Sequence, residues 1–271
     1  MPIYRLTDAL LFPRPEASEP NGLLAIGGDL SKERLLLAYA MGIFPWYNEG
    51  DPVLWYSPMH RLLLYVDAVR INRSLRKALR RKPYTVTLDT AFDRVIDQCA
   101  DVPRPEQDGT WITQDMRTAY KELHRFGYAH SVEVWRGEEL VGGLYGVSLG
   151  KAFFGESMFS LAPNASKIAL TTLCAQLKLW DFDFVDCQIW TPTLESLGAV
   201  EEPKRRFLQL LDRAVIAPTR KGKWTWTDDQ APDPTLFDSP STEPRGDAQV
   251  SDNPAHDSRQ PPGETHGPEH Q

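Results

Sequence analysis

Three side chains in this sequence stand where a proton could be handled: Glu156 in GESMFS, and Asp186 and Gln188 in DCQ. Glu156 has Phe153, Phe154, Met158 and Phe159 for neighbours. A carboxylate among such residues either meets a donor or titrates above its ordinary range, and both conditions are enriched at functional sites. Asp186 and Gln188 lie two apart in a strand-like run and so project from one strand face. A greasy pocket beside a proton-handling pair is therefore one reading. The competing reading makes Glu156 a solvent-facing strand residue and Asp186 and Gln188 the polar end of a strand.

The elements that would position them follow from periodicity. YTVTL at 84–88 alternates as a strand, and in TAFDRVIDQCA Thr90 and Asp93 have capping-box-like spacing ahead of a helix with Phe92, Val95, Ile96 and Cys99 on one face. A second helix starts at Thr113, carries Met116, Tyr120 and Leu123 inward, and ends at Gly127. Three strand-like runs follow, AHSVEVWR, ELVGGLYGVSL and KAFFGESMFS, with turns at Arg136-Gly137 and Leu149-Gly150. A helix over 164–179 buries Leu170, Leu173, Cys174 and Leu177; FDFVDCQ is the next strand and PKRRFLQLLDRAV the last helix.

This order predicts an α/β (α+β) fold with a GNAT-like acyltransferase domain over 63–227 and a smaller, turn-rich N-terminal domain over 1–62. A fold hosts many chemistries, so the match is architectural. An acetyl-CoA enzyme of that type needs a Gly-rich turn whose amides cradle the pyrophosphate. The corresponding FSLAPNASK has no glycine, which argues against an acyl-CoA donor.

Composition narrows the setting. The net charge of −7 divides unevenly: from Asp228 onward ten acids face two arginines, giving −8, and the first 227 residues carry +1. That tail, 228–271, is Pro-rich with few large apolar residues and is expected to be disordered. It is read as a solvated spacer, with competition for a basic surface as the sharper alternative. No run approaches the roughly 18 to 20 apolar residues of a membrane span, and no leader-like pattern opens the chain, so a cytoplasmic protein is expected. Cys99, Cys174 and Cys187 lack disulfide or metal-ligand spacing and read as small buried hydrophobes; no metal and no cofactor is expected.

The motifs EPNGLLAIGGDLS, AYAMGIFPWY, LWYSP, GTWI, AYKELHRFGYAHSVEVW, LVGGLYG, GESMFS, NASK, DCQ and SLGA, spread from Phe12 to about Leu211, closely resemble the bacterial leucyl/phenylalanyl-tRNA–protein transferase family. The resemblance implies transfer of Leu, Phe or, less well, Met from aminoacyl-tRNA to the α-amino group of proteins beginning with Arg or Lys, creating an N-degron. It implies Asp186, Gln188 and Glu156 as catalytic residues. The carboxylate of Asp186 would orient the Gln188 amide, whose oxygen accepts from the attacking amine; a shuttle through the tRNA 3′-terminal ribose is the other route. It implies an aminoacyl pocket of Leu144, Phe153, Met158 and Leu177, with Leu144 where the family can have Met and Leu177 where it can have an aromatic. Trp46 and Trp111 would hold the tRNA 3′-adenosine, and a monomer is expected.

A tRNA partner also needs positive charge. INRSLRKALRRK carries Arg73, Arg76, Lys77, Arg80 and Arg81 at helical spacing, with Arg70 ahead of it and Lys82 at its end, and PKRRF adds Lys204, Arg205 and Arg206. Charge runs are commonly just solvated faces, and buried tryptophans or core leucines would explain the other residues without function. One departure stands out: Thr191-Pro192-Thr193 occupies the place of the family's Asn-x-His. His60, His124 and His130 read as structural. The alternatives are a CoA-dependent N-acetyltransferase and a tRNA-binding module without turnover, the latter having no need of Glu156, Asp186 and Gln188.

Overall fold

The computed structural model describes residues 3–102 and 111–238. In chain order the elements are β1 (Tyr4–Leu6), β2 (Leu23–Gly27), α1 (Lys32–Ala40), β3 (Phe44–Pro45), β4 (Leu54–Tyr56), β5 (His60–Tyr65) and α2 (Arg73–Arg81). Then come β6 (Thr85–Leu88), α3 (Phe92–Asp101), α4 (Gln114–Arg125), β7 (Ala129–Arg136), β8 (Glu139–Leu149) and β9 (Ala152–Ser160). The chain continues through α5 (Ala165–Leu179), β10 (Phe184–Gln188), α6 (Pro192–Ser196), β11 (Val200–Pro203) and α7 (Lys204–Val215). The strand, two helices, three strands, helix, strand order expected from periodicity is present as β6 to β10.

Local chemistry accounts for several boundaries. The Thr113 hydroxyl accepts from the Met116 amide at 3.3 Å and opens α4, and Gly127 turns the chain out of it at φ +74°. The capping box expected at Thr90 and Asp93 does not form. Thr90 instead donates its hydroxyl to buried Glu133 at 2.8 Å, and Ala91 occupies the cap of α3.

Two sheets result. The small one is ordered β1-β2-β4-β3, and the large one β11-β5-β10-β9-β8-β7-β6. In the large sheet β9 and β10 run parallel while the other neighbours are antiparallel. Strand alternation then gives the sheet two apolar faces. One face takes Leu63, Tyr145, Phe154 and Phe184 with α1, α3, α4 and α7. The other takes Leu62, Leu64, Leu144, Phe153 and Val185 with α5 and the segment around Trp224.

The N-terminal part is built into this layer. The boundary expected after Leu62 falls inside β5, which pairs with both β10 and β11 in the large sheet. At the other end, the segment after α7 folds back on α5. Gln176 exchanges two hydrogen bonds with Thr227, Trp226 donates to the Val86 carbonyl at 3.2 Å, and a 3₁₀ turn at Pro234–Asp238 sets the Phe237 ring under Lys178. Within the expected tail Pro234 is thus buried and Phe237 half-buried, residues 228–230 are exposed, and 239–271 lie outside the described residues.

Candidate active site

The site opens where the parallel pair comes apart. β9 and β10 are paired from Ala152 and Phe184 to Phe154 and Asp186, and no further. Beyond that point Gly155, Glu156, Ser157 and Met158 line one wall of a cavity of about 350 Å³, and Cys187, Gln188 and Ile189 line the other. Phe44 and Pro45 from β3, Trp46 just after it, Trp111 ahead of α4, and Leu144, Tyr145, Phe153, Leu170, Val185 and Leu194 add the apolar lining. Gly146 lets Phe153 reach this position: a Cβ there would come within 2.2 Å of the Phe154 carbonyl and 2.6 Å of the Phe153 ring.

Glu156 is buried at 8% exposure. Its Oε1 accepts from Tyr39 at 2.7 Å and from the Gln188 amide Nε2 at 3.1 Å, and its Oε2 accepts from Tyr120 at 2.9 Å. Tyr39 and Tyr120 also bond to each other through their hydroxyls. These rings come from α1 and α4, on the sheet face to which Glu156 points. Burial, and then the nearby Asp186 charge, push the Glu156 carboxyl up to about 7, against the opposing pull of the tyrosine hydrogen bonds and of Arg61. Burial, and then Glu156 itself, hold both phenols well above their usual range.

Asp186 is fully buried and does not reach the cavity. Arg61 Nε donates to its Oδ1 and Oδ2 at 2.8 and 2.9 Å, and Arg61 Nη2 to Oδ2 at 2.7 Å. The guanidinium lies between the rings of Phe44 and Phe207, 4.6 and 4.8 Å from their centroids, and Nη1 donates to the Gly42 carbonyl at 3.3 Å. The expectation that Asp186 orients the Gln188 side chain therefore needs correction. Asp186 Oδ1 accepts from the Gln188 backbone amide at 2.9 Å, whereas the side-chain amide is held by Glu156. The reason is a bulge at 186–188 that leaves Gln188 at φ +61°, so the two side chains do not share a strand face. Such a backbone is disfavoured for a residue with a Cβ and is enriched at functional sites.

Of the residues expected in the aminoacyl pocket, Leu144, Phe153 and Met158 line the cavity and Leu177 does not. Leu177 is fully buried in the core under α5 because it lies two turns beyond Leu170 on the same helix face, past the cavity that Leu170 meets. Trp46 is 37% exposed and Trp111 is half-buried, and both line the cavity. Thr191 lines it too and caps α6, accepting from the Leu194 amide at 3.3 Å, while Thr193 stands outside the lining. Cys187 lines it with its thiol pushed well up by burial. His124 stacks on Phe92, and His130 bonds to Asp89 and stacks on Trp224, each away from the cavity.

On α2, Arg73, Lys77, Arg80 and Arg81 are exposed, and Arg76 is half-buried with Nη2 donating to the Ile71 carbonyl at 3.2 Å. Leu75 buries the opposite face, and Asn72 caps the helix by accepting from the Leu75 amide at 2.9 Å. Lys204 does not belong with these cations: it is buried, with Nζ on the Pro15 carbonyl at 3.1 Å and on the Ser18 hydroxyl.

From the sequence, Arg61 and Tyr39 are passed over and Tyr120 is taken only as an inward-facing helix residue. Each carried a signal. RLLLY puts a guanidinium on the strand face of Leu63, where a core position demands a carboxylate, and Tyr39 and Tyr120 fall on the inner faces of amphipathic helices.

The sequence profile of the leucyl/phenylalanyl-tRNA protein transferase family matches residues 63–212, and that of the N-terminal domain of the same enzymes matches residues 28–59. The chain is 57% identical over 227 residues to the leucyl/phenylalanyl-tRNA–protein transferase of Myxococcus xanthus, covering 83% of this chain and 97% of that protein. It belongs to this family. The corresponding protein of Desulfatibacillum aliphaticivorans is 53% identical over 225 residues, covering 83% of this chain and 97% of that protein. That of Syntrophotalea carbinolica is 56% identical over 227 residues, covering 83% and 99%. A solved structure of L-PGS from Bacillus licheniformis covers 62% of this transferase and 56% of its own chain at 15% identity, with a TM-score of 0.36, too low to bear on the fold. Among the described residues of the transferase no group of His, Cys, Asp or Glu gathers as metal ligands, and no helix is long and apolar enough to cross a membrane.

Proposed function

We propose that this chain transfers Leu, Phe and, less well, Met from aminoacyl-tRNA to the α-amino group of proteins beginning with Arg or Lys. The product is a peptide bond and an N-degron, a signal for degradation, made in the cytoplasm by a monomer. The observation that carries this reading is the cavity itself, where an apolar lining, two tryptophans and the Glu156–Gln188 pair converge.

The ester of an aminoacyl-tRNA is already activated, so positioning supplies much of the acceleration, on the order of 7 to 11 kcal/mol for well-oriented reactants. Leu144, Phe153 and Met158 enclose the donor side chain and favour unbranched Cβ atoms. Trp46 and Trp111 stack on the terminal adenosine for about 1 to 3 kcal/mol each. Arg73, Arg76, Lys77, Arg80 and Arg81 hold tRNA phosphates with little sequence preference.

In the reaction the neutral amine nitrogen attacks the ester carbonyl carbon, the bond from that carbon to the ribose oxygen breaks, and the proton leaving nitrogen ends on the departing oxygen. Gln188 donates Nε2 to Glu156, which leaves its Oε1 to accept an N–H of the amine. Glu156 fixes the amide, and Asp186 fixes the backbone beneath it.

Purified protein supplied with tRNA carrying radiolabelled Phe or Leu is expected to label a peptide beginning with Arg and to leave its N-acetylated form unlabelled. Failure to label Arg-initial and Lys-initial peptides alike would sink the reading.

A further inference from the structure

Two parts of the cavity have separate origins in the chain: the Gly42–Trp46 segment that carries Trp46, and the end of β10 that carries Gln188. One buried side chain touches the supports of both. Arg61 reaches toward Gln188 through Asp186, whose Oδ1 accepts the Gln188 amide at 2.9 Å. It reaches toward Trp46 through the Gly42 carbonyl at 3.3 Å and the face of Phe44, itself a lining residue. Phe207 closes the other face of the guanidinium, and Gly42 is held against that ring so closely that a Cβ would come within 2.7 Å of it.

We infer that Arg61 is a positioning residue that sets the adenosine platform and the amine acceptor in one register. The inference rests on the transferase reading above, since it takes Trp46 as the platform and Gln188 as the acceptor. Only a planar fork can do this: one edge binds the carboxylate, the remaining nitrogen binds a carbonyl, and both faces stack. A lysine of the same charge offers a point donor and no planar face. A protein that merely needed to neutralise Asp186 would tolerate that exchange.

The test separates platform from acceptor. Donor binding is measured through tryptophan fluorescence with phenylalanyl-adenosine bearing an amide in place of the ester, and kcat with Phe-tRNA and an Arg-initial peptide. Arg61→Lys is expected to weaken the analogue's Kd and to lower kcat, each by about tenfold, since misplacements near 1 Å can cost up to about a hundredfold. Asp186→Asn is expected to lower kcat with the Kd within about twofold of wild type, and Phe44→Leu to do the reverse. Should Arg61→Lys not fold, Arg61→Gln/Asp186→Asn removes both charges together and is expected to show both defects. A change in only one constant in the Arg61 variant, or a lowered Tm with both constants intact, overturns the inference. If the wild type binds the analogue but transfers nothing, the transferase reading fails by itself, and an unchanged Kd in Arg61→Lys still overturns the proposal.

Discussion

Glu156 and Asp186 sit on neighbouring strands, each almost or wholly out of water, yet their surroundings differ in kind. Asp186 meets a full positive charge in a forked ion pair. Glu156 meets two phenols and an amide, none of them charged. Neutral donors offset only part of what burial costs a carboxylate, so Glu156 titrates about 7 and can change state under working conditions. A carboxylate answered by a guanidinium is a fixture of the scaffold. The same residue class thus serves as frame at one position and as adjustable part at the other.

The comparison is broken most severely by Asp186→Ala. That change leaves Arg61 buried without a counter-charge and is expected to cost about 3 to 5 kcal/mol of unfolding free energy. Urea unfolding measures it; a loss under about 1 kcal/mol, the range of an exposed pair, would show that the two acids do not differ as described.

Glu156→Gln tests the other side and should cost less. Because the folded state raises this carboxyl from 4.5 to about 7, it holds the proton more tightly than the unfolded chain does. The stabilisation is complete below about 4.5 and is lost as pH rises through about 7. The stability of wild type minus that of the variant should therefore fall across this window and stay level above it, as read from urea midpoints at a series of pH values. A difference that rises with pH would mean that Glu156 is held as an anion.

The smallest effect belongs to Tyr120→Phe. Removing the donor to Oε2 should push the Glu156 titration further up and shift the pH profile of transfer with it, with a stability cost of about 1 kcal/mol. A shift to lower pH would contradict the assigned hydrogen bond.

Much of this was legible in the residues, and the failures have physical causes. Thr113 and Gly127 mark the ends of α4, and the helix expected over 164–179 forms as Ala165–Leu179, because caps and the 3.6-residue period act locally. The N-terminal sheet could not be derived, since its strands are two to five residues long and β1 pairs β2 in parallel across a long connection. Too few residues alternate for a period to show. Glu156 was placed in the site by resemblance, while its residues alone favoured a solvent-facing position; the phenols that bury it come from helices more than thirty residues away. Leu177 was given a pocket role by resemblance and lies in the core, and the Thr90 cap lost its hydroxyl to Glu133. Asp186 and Gln188 were read with strand geometry that a bulge cancels.

The placement of β5 between β10 and β11 bears on how this molecule can be recombined. A cut after Leu62, the module boundary that the sequence suggests, passes through a shared strand, and Lys204 at the head of α7 is tied back to Pro15 and Ser18. Grafting the first sixty residues from a relative would exchange partners on both sides of the seam, so a working hybrid would have to carry β11 and the start of α7 along with them.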